Sequence, residues 1–230
     1  LELSPASVDQ LGKADAVVYL KGFQSAVDEA VEHNAPKTVI DVAPAVQLVK
    51  VSDSGNHVND HDHDADHDHE ADHDHDHKAE HDHDHDHDMS TDPHFWLDPV
   101  RMQAAAKAVE AALAQADPAH ADAYAANLDT LNATLTDLNT SYSTGLGHCE
   151  RTTFVTSHAA FGYLTERYGL EQVGISGLSP NEQPSPARVA KVQEEAKEHG
   201  VTTIFFETLT SDEVAKAIAG DLGLKTAVLD

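Results

Sequence analysis

The side chains best suited to chemistry in this chain lie where predicted strands and turns end. His94 stands in DPHFWLDP, residues 92–99, where two prolines and the only tryptophan predict a structured turn. His158 follows an apolar strand, and the sequence predicts that a helix begins at this residue. Open α/β sheets bind ligands where strands end and helices begin, so both imidazoles occupy positions suited to ligand binding.

Two carboxylates occupy the same kind of position. Asp230 ends an apolar strand near the end of the chain, and Glu207 follows the neighbouring predicted strand. Neutral imidazole and carboxylate oxygen are suitable donors for Zn²⁺. The sequence therefore predicts a metal site formed by His94, His158 and Asp230. Glu207 is predicted as a further ligand or as a group that contacts a ligand from behind.

Each of these residues also has an ordinary structural interpretation. His94 can hydrogen-bond within its own turn, and His158 can face solvent near a helix start. Asp230 can be an acidic loop residue, and Glu207 can be a charge at the rim of the sheet. The linear sequence does not by itself bring these separated positions together.

A second group of histidines forms a single tract. Twelve of the 18 histidines lie in residues 57–87, and the segment 53–88 carries 15 acidic residues and one lysine, a net charge of −14. Because the tract has almost no apolar residue to bury, we expect a disordered loop over residues 53–91. Its alternating imidazole and carboxylate groups predict auxiliary low-affinity zinc sites. The auxiliary histidines are His57, His61, His63, His67, His69, His73, His75, His77, His81, His83, His85 and His87.

Composition limits the classes of function. The chain has 230 residues, enough for one large domain or two small lobes, and a formal net charge of −27. A nucleic-acid partner is not expected, because it would require a basic face. No apolar run is long enough to span a bilayer. Cys149 is the only cysteine, so no disulfide can form within these residues. Leu1 begins inside an apparent motif, and we expect a processed or excised stretch.

The elements that must position these groups alternate between strands and helices. This rhythm predicts an α/β fold of two lobes, each with a mainly parallel sheet. We expect an N-terminal lobe over residues 1–116, a linking helix over 117–147 and a C-terminal lobe over 148–230. Helix N-caps are predicted at four residues that precede proline: Ser4, Asp98, Asp117 and Ser185.

The linking helix is predicted to be long and stiff. It should run from Pro118 to about Leu146, because apolar residues recur there at steps of three and four. That spacing predicts one packed face, which includes Leu131 and Leu138. A stiff helix between the lobes would oppose a large hinge closure.

These residues carry a resemblance to a known family. The chain resembles the zinc-specific solute-binding proteins of ABC transporters, which have two lobes joined by a long rigid helix. The resemblance covers essentially the whole chain, and DPHFWLDP and SHAAFGYL are its most specific motifs. The other matching segments are LELSPASVDQLGKADAVVYL, the His/Asp-rich insertion, GLSPNEQPSPARV and TTIFFETLTSDEVAKAIAGDLGLKTAVLD.

The resemblance assigns positions in the metal site. His94, His158 and Asp230 match the second, third and fourth ligands of the family, and the first would precede Leu1. The resemblance also implies that the C-terminal lobe lacks the last strand and helix of the family. Relatives that prefer manganese carry a carboxylate where His158 stands, so the imidazole favours zinc.

The function that the resemblance implies is high-affinity capture of extracytoplasmic Zn²⁺ and delivery to an ABC permease in the membrane. The protein would act as a monomer, in the periplasm or at the cell surface as a lipid-anchored protein. It would catalyse no reaction.

Three alternatives stay open at this point. A zinc-dependent hydrolase would need an open coordination position and a general base, a role that Glu207 could fill. A metal store or metallochaperone would use the tract as its whole function and the lobes as a scaffold. A manganese receptor would differ in metal preference alone.

Overall fold

The computed structural model of the protein describes residues 3–34, 36–50, 91–180, 182–208 and 212–229. The His/Asp-rich residues 57–87 and Asp230 therefore lie outside the described residues. Up to residue 50 the elements are α1 (Pro5–Lys13), β1 (Val17–Tyr19), α2 (Ser25–Asn34), β2 (Val39–Asp41) and α3 (Ala43–Val46).

The chain from residue 91 onward is mostly helix at first and then alternates between strand and helix. Two 3₁₀ turns, Phe95–Leu97 and Pro118–His120, precede α4 (Pro99–Ala116) and α5 (Ala121–Leu146) respectively. The remaining elements are β3 (Thr153–Thr156), α6 (Gly162–Tyr168), β4 (Glu171–Gly174), α7 (Pro186–Glu198), β5 (Thr203–Phe206), α8 (Glu213–Leu222) and β6 (Lys225–Val228).

The described strands form two parallel sheets. β1 pairs with β2, and the second sheet has the order β4-β3-β5-β6. Because the second sheet is parallel throughout, the carboxyl ends of β3 and β5 meet at one edge. His158 and Glu207 follow those two strands, so the topology brings their segments together. The predicted α/β class with mainly parallel sheets is confirmed.

Three of the four predicted N-caps form as expected. The side chains of Ser4, Asp98 and Ser185 accept hydrogen bonds from backbone N–H groups of the first helical turn. Asp117 does not cap, because its carboxylate accepts hydrogen bonds from His120 Nδ1 at 2.7 Å and from the Tyr124 hydroxyl at 3.0 Å. The continuous helix predicted from Pro118 is thus shortened by a 3₁₀ turn, and α5 begins at Ala121.

The linking helix packs less completely than its apolar spacing predicts. α5 lies along α4, where Gln103 Nε2 donates hydrogen bonds to the Asn132 carbonyl at 3.0 Å and to Thr136 Oγ1 at 2.9 Å. Yet no residue of α5 is buried, and Leu131 and Leu138 are 41% and 43% exposed. The expectation of a fully packed face is therefore wrong for these two leucines. None of the described helices is both long and apolar enough to cross a membrane.

Among the described residues, two clusters of buried side chains form the core. One lies under the second sheet and includes Val155, Val192, Ile204 and Ile218. The other surrounds the first sheet and α4 with Ile40, Val42, Val46, Phe95 and Ala105, and it also includes Tyr163 of α6. Tyr163 follows β3 in sequence but packs with residues that precede α5, so it joins the two halves of the chain.

An ion pair between Arg167 and the buried carboxylate of Asp98 makes a second connection between the halves. Arg167 of α6 donates to both oxygens of Asp98, at 2.6 Å from Nε and 2.7 Å from Nη2. Asp98 is 1% exposed and also caps α4. Arg101 lies beside it and donates to Glu166 at 3.0 Å. Bidentate arginine–carboxylate pairs fix geometry as well as charge, so this contact holds α6 against the start of α4.

Candidate metal site

His94 and His158 lie side by side in the structure. Their ring centroids are 5.5 Å apart, with an interplanar angle of 63°. The two residues are 7% and 8% exposed, so both rings are largely withdrawn from solvent. Two imidazoles bound to one tetrahedral zinc ion, with Zn–N distances near 2.0 Å, have centroids about 5 Å apart. The observed spacing fits that requirement.

Asp92 fixes the orientation of His94. One oxygen of its carboxylate accepts a hydrogen bond from the His94 backbone N–H at 2.9 Å and lies 2.8 Å from His94 Nδ1. Asp92 is 0% exposed. Because an ionised carboxylate can only accept, the hydrogen bond assigns the ring proton to Nδ1 and leaves the Nε2 lone pair available to a metal.

The backbone around His158 is fixed in a turn and not in a helix. Thr156 Oγ1 and Gln172 Nε2 donate to the His158 carbonyl at 2.7 Å and 3.0 Å, and the Ala160 N–H donates to it at 3.0 Å. This carbonyl is therefore occupied and does not accept from the amide four residues later. The predicted helix start at His158 is wrong, since α6 begins at Gly162.

Glu207 lies behind His158 much as Asp92 lies behind His94. Its Oε2 is 3.2 Å from His158 Nδ1, and the same oxygen accepts a hydrogen bond from the Ser157 hydroxyl. Burial acts to raise the pKa of Glu207, but the contacts with His158 and Ser157 outweigh it and hold the pKa below its usual range. An ionised Glu207 places negative charge beside Nδ1, which favours the His158 tautomer with a free Nε2.

The described residues bring together only part of the predicted ligand set. His94 and His158 meet, and Glu207 contacts His158 from the Nδ1 side. Asp230 and the twelve auxiliary histidines stay predictions, because they lie outside the described residues. Within the described ranges, no group of three His, Cys, Asp or Glu side chains is arranged to hold a metal. Cys149, which is exposed, has no predicted part in the site.

Sequence reasoning missed two residues that shape the site. Asp92 had a readable signal, because an aspartate two residues before another residue commonly accepts from that residue's backbone N–H. Tyr163 had none, since its hydroxyl reaches segments far away in sequence. It accepts a hydrogen bond from the Val49 N–H at 2.9 Å and donates one to the Asp92 carbonyl at 2.6 Å.

Comparison with known proteins gives a consistent set of relatives. The high-affinity zinc uptake system protein ZnuA of Bacillus subtilis is 43% identical over 139 residues, which are 60% of this chain and 44% of that protein. The zinc-binding lipoprotein AdcA of Streptococcus pneumoniae is 37% identical over 139 residues, which are 60% of this chain and 28% of AdcA. This chain thus spans less than half the length of these curated relatives.

Solved structures agree with the sequence relatives. The Zn(II)-bound form of an AdcAII variant from Streptococcus pneumoniae superposes with a TM-score of 0.78 at 25% identity, covering 100% of this chain and 75% of that one. The family model described as zinc-uptake complex component A, periplasmic, matches residues 1–230. The chain therefore belongs to the ZnuA family.

Proposed function

We propose that this chain captures Zn²⁺ outside the cytoplasm and passes it to an ABC permease in the membrane. The observation that carries the proposal is the pair of buried imidazoles, His94 and His158, each with a carboxylate on its Nδ1 side. That arrangement leaves Nε2 of each ring available to a shared ion. Relatives named for zinc uptake and zinc binding support the choice of metal.

Two histidines supply half of a tetrahedral zinc site, and the proposal names where the rest comes from. Asp230 follows β6, which pairs with β5 and ends at the same edge of the sheet as Glu207. Its carboxylate is proposed as the third donor, with a group outside this chain's described residues as the fourth. A site with two imidazoles and a carboxylate prefers Zn²⁺ over the harder Mn²⁺.

The carboxylates of Asp92 and Glu207 lie on the Nδ1 side of the two rings, so Nε2 of each ring is the donor atom proposed for zinc. The two carboxylates also supply negative charge close to a dication without contacting it. Because both rings are nearly buried, a bound ion is largely removed from water, which strengthens these interactions.

The His/Asp tract is proposed as an auxiliary low-affinity zinc site. Lys50 and Thr91, which flank the segment 51–90, pair with each other in an antiparallel bridge. Thr91 is three residues from His94, so the segment that carries the tract is attached close to the main site. We further propose that the protein has two lobes, residues 1–116 and 148–230, joined by the helix segment 117–147. We also propose that it is a monomer.

We also propose that the protein catalyses no reaction. The letters HEADH at positions 69–73 match the HExxH pattern of zinc proteases, but a composition of alternating His and acidic residues produces such matches readily. The HExxH pattern indicates a zinc protease only where a helix places both histidines on one face. Positions 69–73 lie outside the described residues. Glu207, the candidate general base, contacts His158 and Ser157 and does not stand free for a water.

A zinc titration of histidine variants tests the proposed function. His94→Ala and His158→Ala should each abolish the tightest site, measured by competition with a chelator at one equivalent of zinc. His120→Ala is the matched control, because His120 is exposed and pairs with Asp117 far from the site in sequence. The proposal fails if either site variant binds the first zinc as tightly as the control does.

A further inference from the structure

Tyr163 occupies an unusual position between the two histidine-bearing segments. It lies five residues after His158, in the first turn of α6, and is 1% exposed. Its ring nevertheless packs with Ile40, Val42 and Phe95, which precede α5 in the chain. The guanidinium of Arg101 lies over the ring, 4.6 Å from its centroid. The side chain thus lies in the same buried cluster as Phe95, the residue that follows His94.

The Tyr163 hydroxyl completes a small backbone network beside the site. It accepts from the Val49 N–H at 2.9 Å and donates to the Asp92 carbonyl at 2.6 Å. The Asp92 N–H in turn donates to the Val49 carbonyl at 2.9 Å. Burial raises the pKa of Tyr163, so the hydroxyl keeps its proton at neutral pH and can donate. Asp92 is therefore held at both of its backbone polar groups.

Through Asp92, the hydrogen bonds of Tyr163 also affect the position of His94. The Asp92 carboxylate accepts a hydrogen bond from the His94 backbone N–H and also contacts His94 Nδ1. A movement of Asp92 would therefore move the ring. His158 lies on the same stretch of chain as Tyr163, in a turn fixed by Thr156 and Gln172. A single phenol consequently connects the two segments that carry the zinc-binding imidazoles.

We propose that Tyr163 is a positioning residue for zinc capture, whose hydroxyl sets the place of Asp92, and through it of His94, relative to His158. This inference rests on the proposed function, because it concerns the affinity of that site. Tyr163 does not touch the ion. Its effect is to preorganise two donors, so that zinc binding does not have to order them.

The test compares Tyr163→Phe with Tyr168→Phe in the full chain. Each variant removes one partly or fully buried hydroxyl from α6, and the Tyr168 hydroxyl donates to Asn139 Oδ1 at 3.1 Å, away from both histidines. Loss of groups that orient metal ligands typically weakens affinity 10–100-fold, and we expect Tyr163→Phe to weaken the tightest zinc site about tenfold. Tyr168→Phe should stay within about twofold of the unchanged protein, while both variants keep a cooperative thermal transition.

A second readout follows the His94 ring without any metal. Nitrogen NMR of the histidines distinguishes the Nδ1–H from the Nε2–H tautomer. In the unchanged protein His94 should be the Nδ1–H tautomer, and Tyr163→Phe should give a mixture while His158 is unaltered. Introducing 4-aminophenylalanine at position 163 returns a hydrogen-bonding group to the same place and should recover both signals.

The outcomes separate the inference from the function on which it rests. Equal zinc affinity and equal His94 spectra in Tyr163→Phe and the unchanged protein would overturn the positioning role. Equal loss of affinity in Tyr163→Phe and Tyr168→Phe would also overturn it, because the effect would then be general destabilisation. If the unchanged protein has no tight zinc site, the proposed function fails, and the His94 tautomer still decides whether Tyr163 orients the ring.

Discussion

Asp92 has the largest expected effect of any single residue that does not bind zinc itself. Asp92→Asn removes the negative charge, and its amide can turn an N–H toward His94 Nδ1, which would favour the wrong tautomer. We expect the tightest zinc site to weaken by about 10–100-fold, measured by chelator competition. Asp129→Asn, on the exposed side of α5, is the control. An affinity equal to that of the control would show that the Asp92 carboxylate does not orient the ring.

At the metal site, the sequence predicts which histidines meet but not what orients them. Strand ends and the proline-rich turn predict that His94 and His158 lie together, and they do. The position of Asp92, two residues before His94, indicates a hydrogen bond to the His94 backbone. Nothing in the sequence indicates that Asp92 is buried. The role of Tyr163 could not be predicted, because its hydroxyl bonds to Val49 and Asp92, which are 114 and 71 residues away in the sequence.

At the scale of elements, the contact between α4 and α6 is held by the Asp98–Arg167 pair. Arg167→Met leaves a buried carboxylate without its bidentate partner, although Arg101 and the α4 backbone still interact with it. Hydrogen bonds to charged groups contribute about 1.5–3 kcal/mol, and we expect a loss of this size in the free energy of unfolding in denaturant.

The control for that measurement is a surface pair. Arg151 lies 3.9 Å from Glu150, and both side chains are exposed, so Arg151→Met should cost less than about 1 kcal/mol. If the two arginine variants lose the same free energy, the pair at the start of α4 contributes no more than a surface contact.

The junction between α4 and α5 depends on pH through Asp117. Hydrogen bonds from His120 and then Tyr124 lower the pKa of Asp117, and the bond to Asp117 raises the pKa of Tyr124. A carboxyl whose pKa is lower in the folded state stabilises the fold above its unfolded pKa, and this contribution is lost as pH falls through the folded pKa.

Asp117→Asn tests that assignment. The variant should unfold at a lower temperature than the unchanged protein at neutral pH, and the two curves should converge in acid below the folded pKa of Asp117. The pKa of Tyr124 should fall back toward its ordinary value, followed by tyrosine absorbance. A melting difference that persists unchanged at low pH would contradict a role for the ionised carboxylate.

Elements were easier to predict from sequence than their exact starts. Proline following Ser4, Asp98 and Ser185 located three helix starts, because proline and a capping side chain act locally. α6 starts four residues later than predicted, since Thr156 and Gln172 occupy the His158 carbonyl. Gln172 lies in another strand, so no local pattern could reveal this contact.

At the scale of the whole molecule, the connections between its two halves oppose a large closure on zinc. α5 is a continuous helix of 26 residues, and Tyr163 and Arg167 tie α6 to the other half of the chain. Scattering curves with and without zinc should therefore nearly superimpose, because only local adjustment is available. A decrease of several ångströms in the radius of gyration would contradict this prediction.

The tract should contribute separately to zinc binding by the whole molecule. Calorimetry should find several weak ions on the intact protein and one tight ion on a version lacking residues 57–87. The weak binding should decline as pH falls from about 7 to 6, because histidine must be neutral to ligate and neighbouring carboxylates favour its protonated form. Identical stoichiometry in both proteins would mean that the tract is only a spacer.

The most direct test of the zinc site is an anomalous difference map at the zinc edge from crystals of the zinc-loaded protein. We expect one strong peak about 2.0 Å from Nε2 of both His94 and His158, with a carboxylate oxygen of Asp230 at about 2.0–2.2 Å. A map with no peak between the two imidazoles, or with zinc only along residues 57–87, would contradict the proposed capture site.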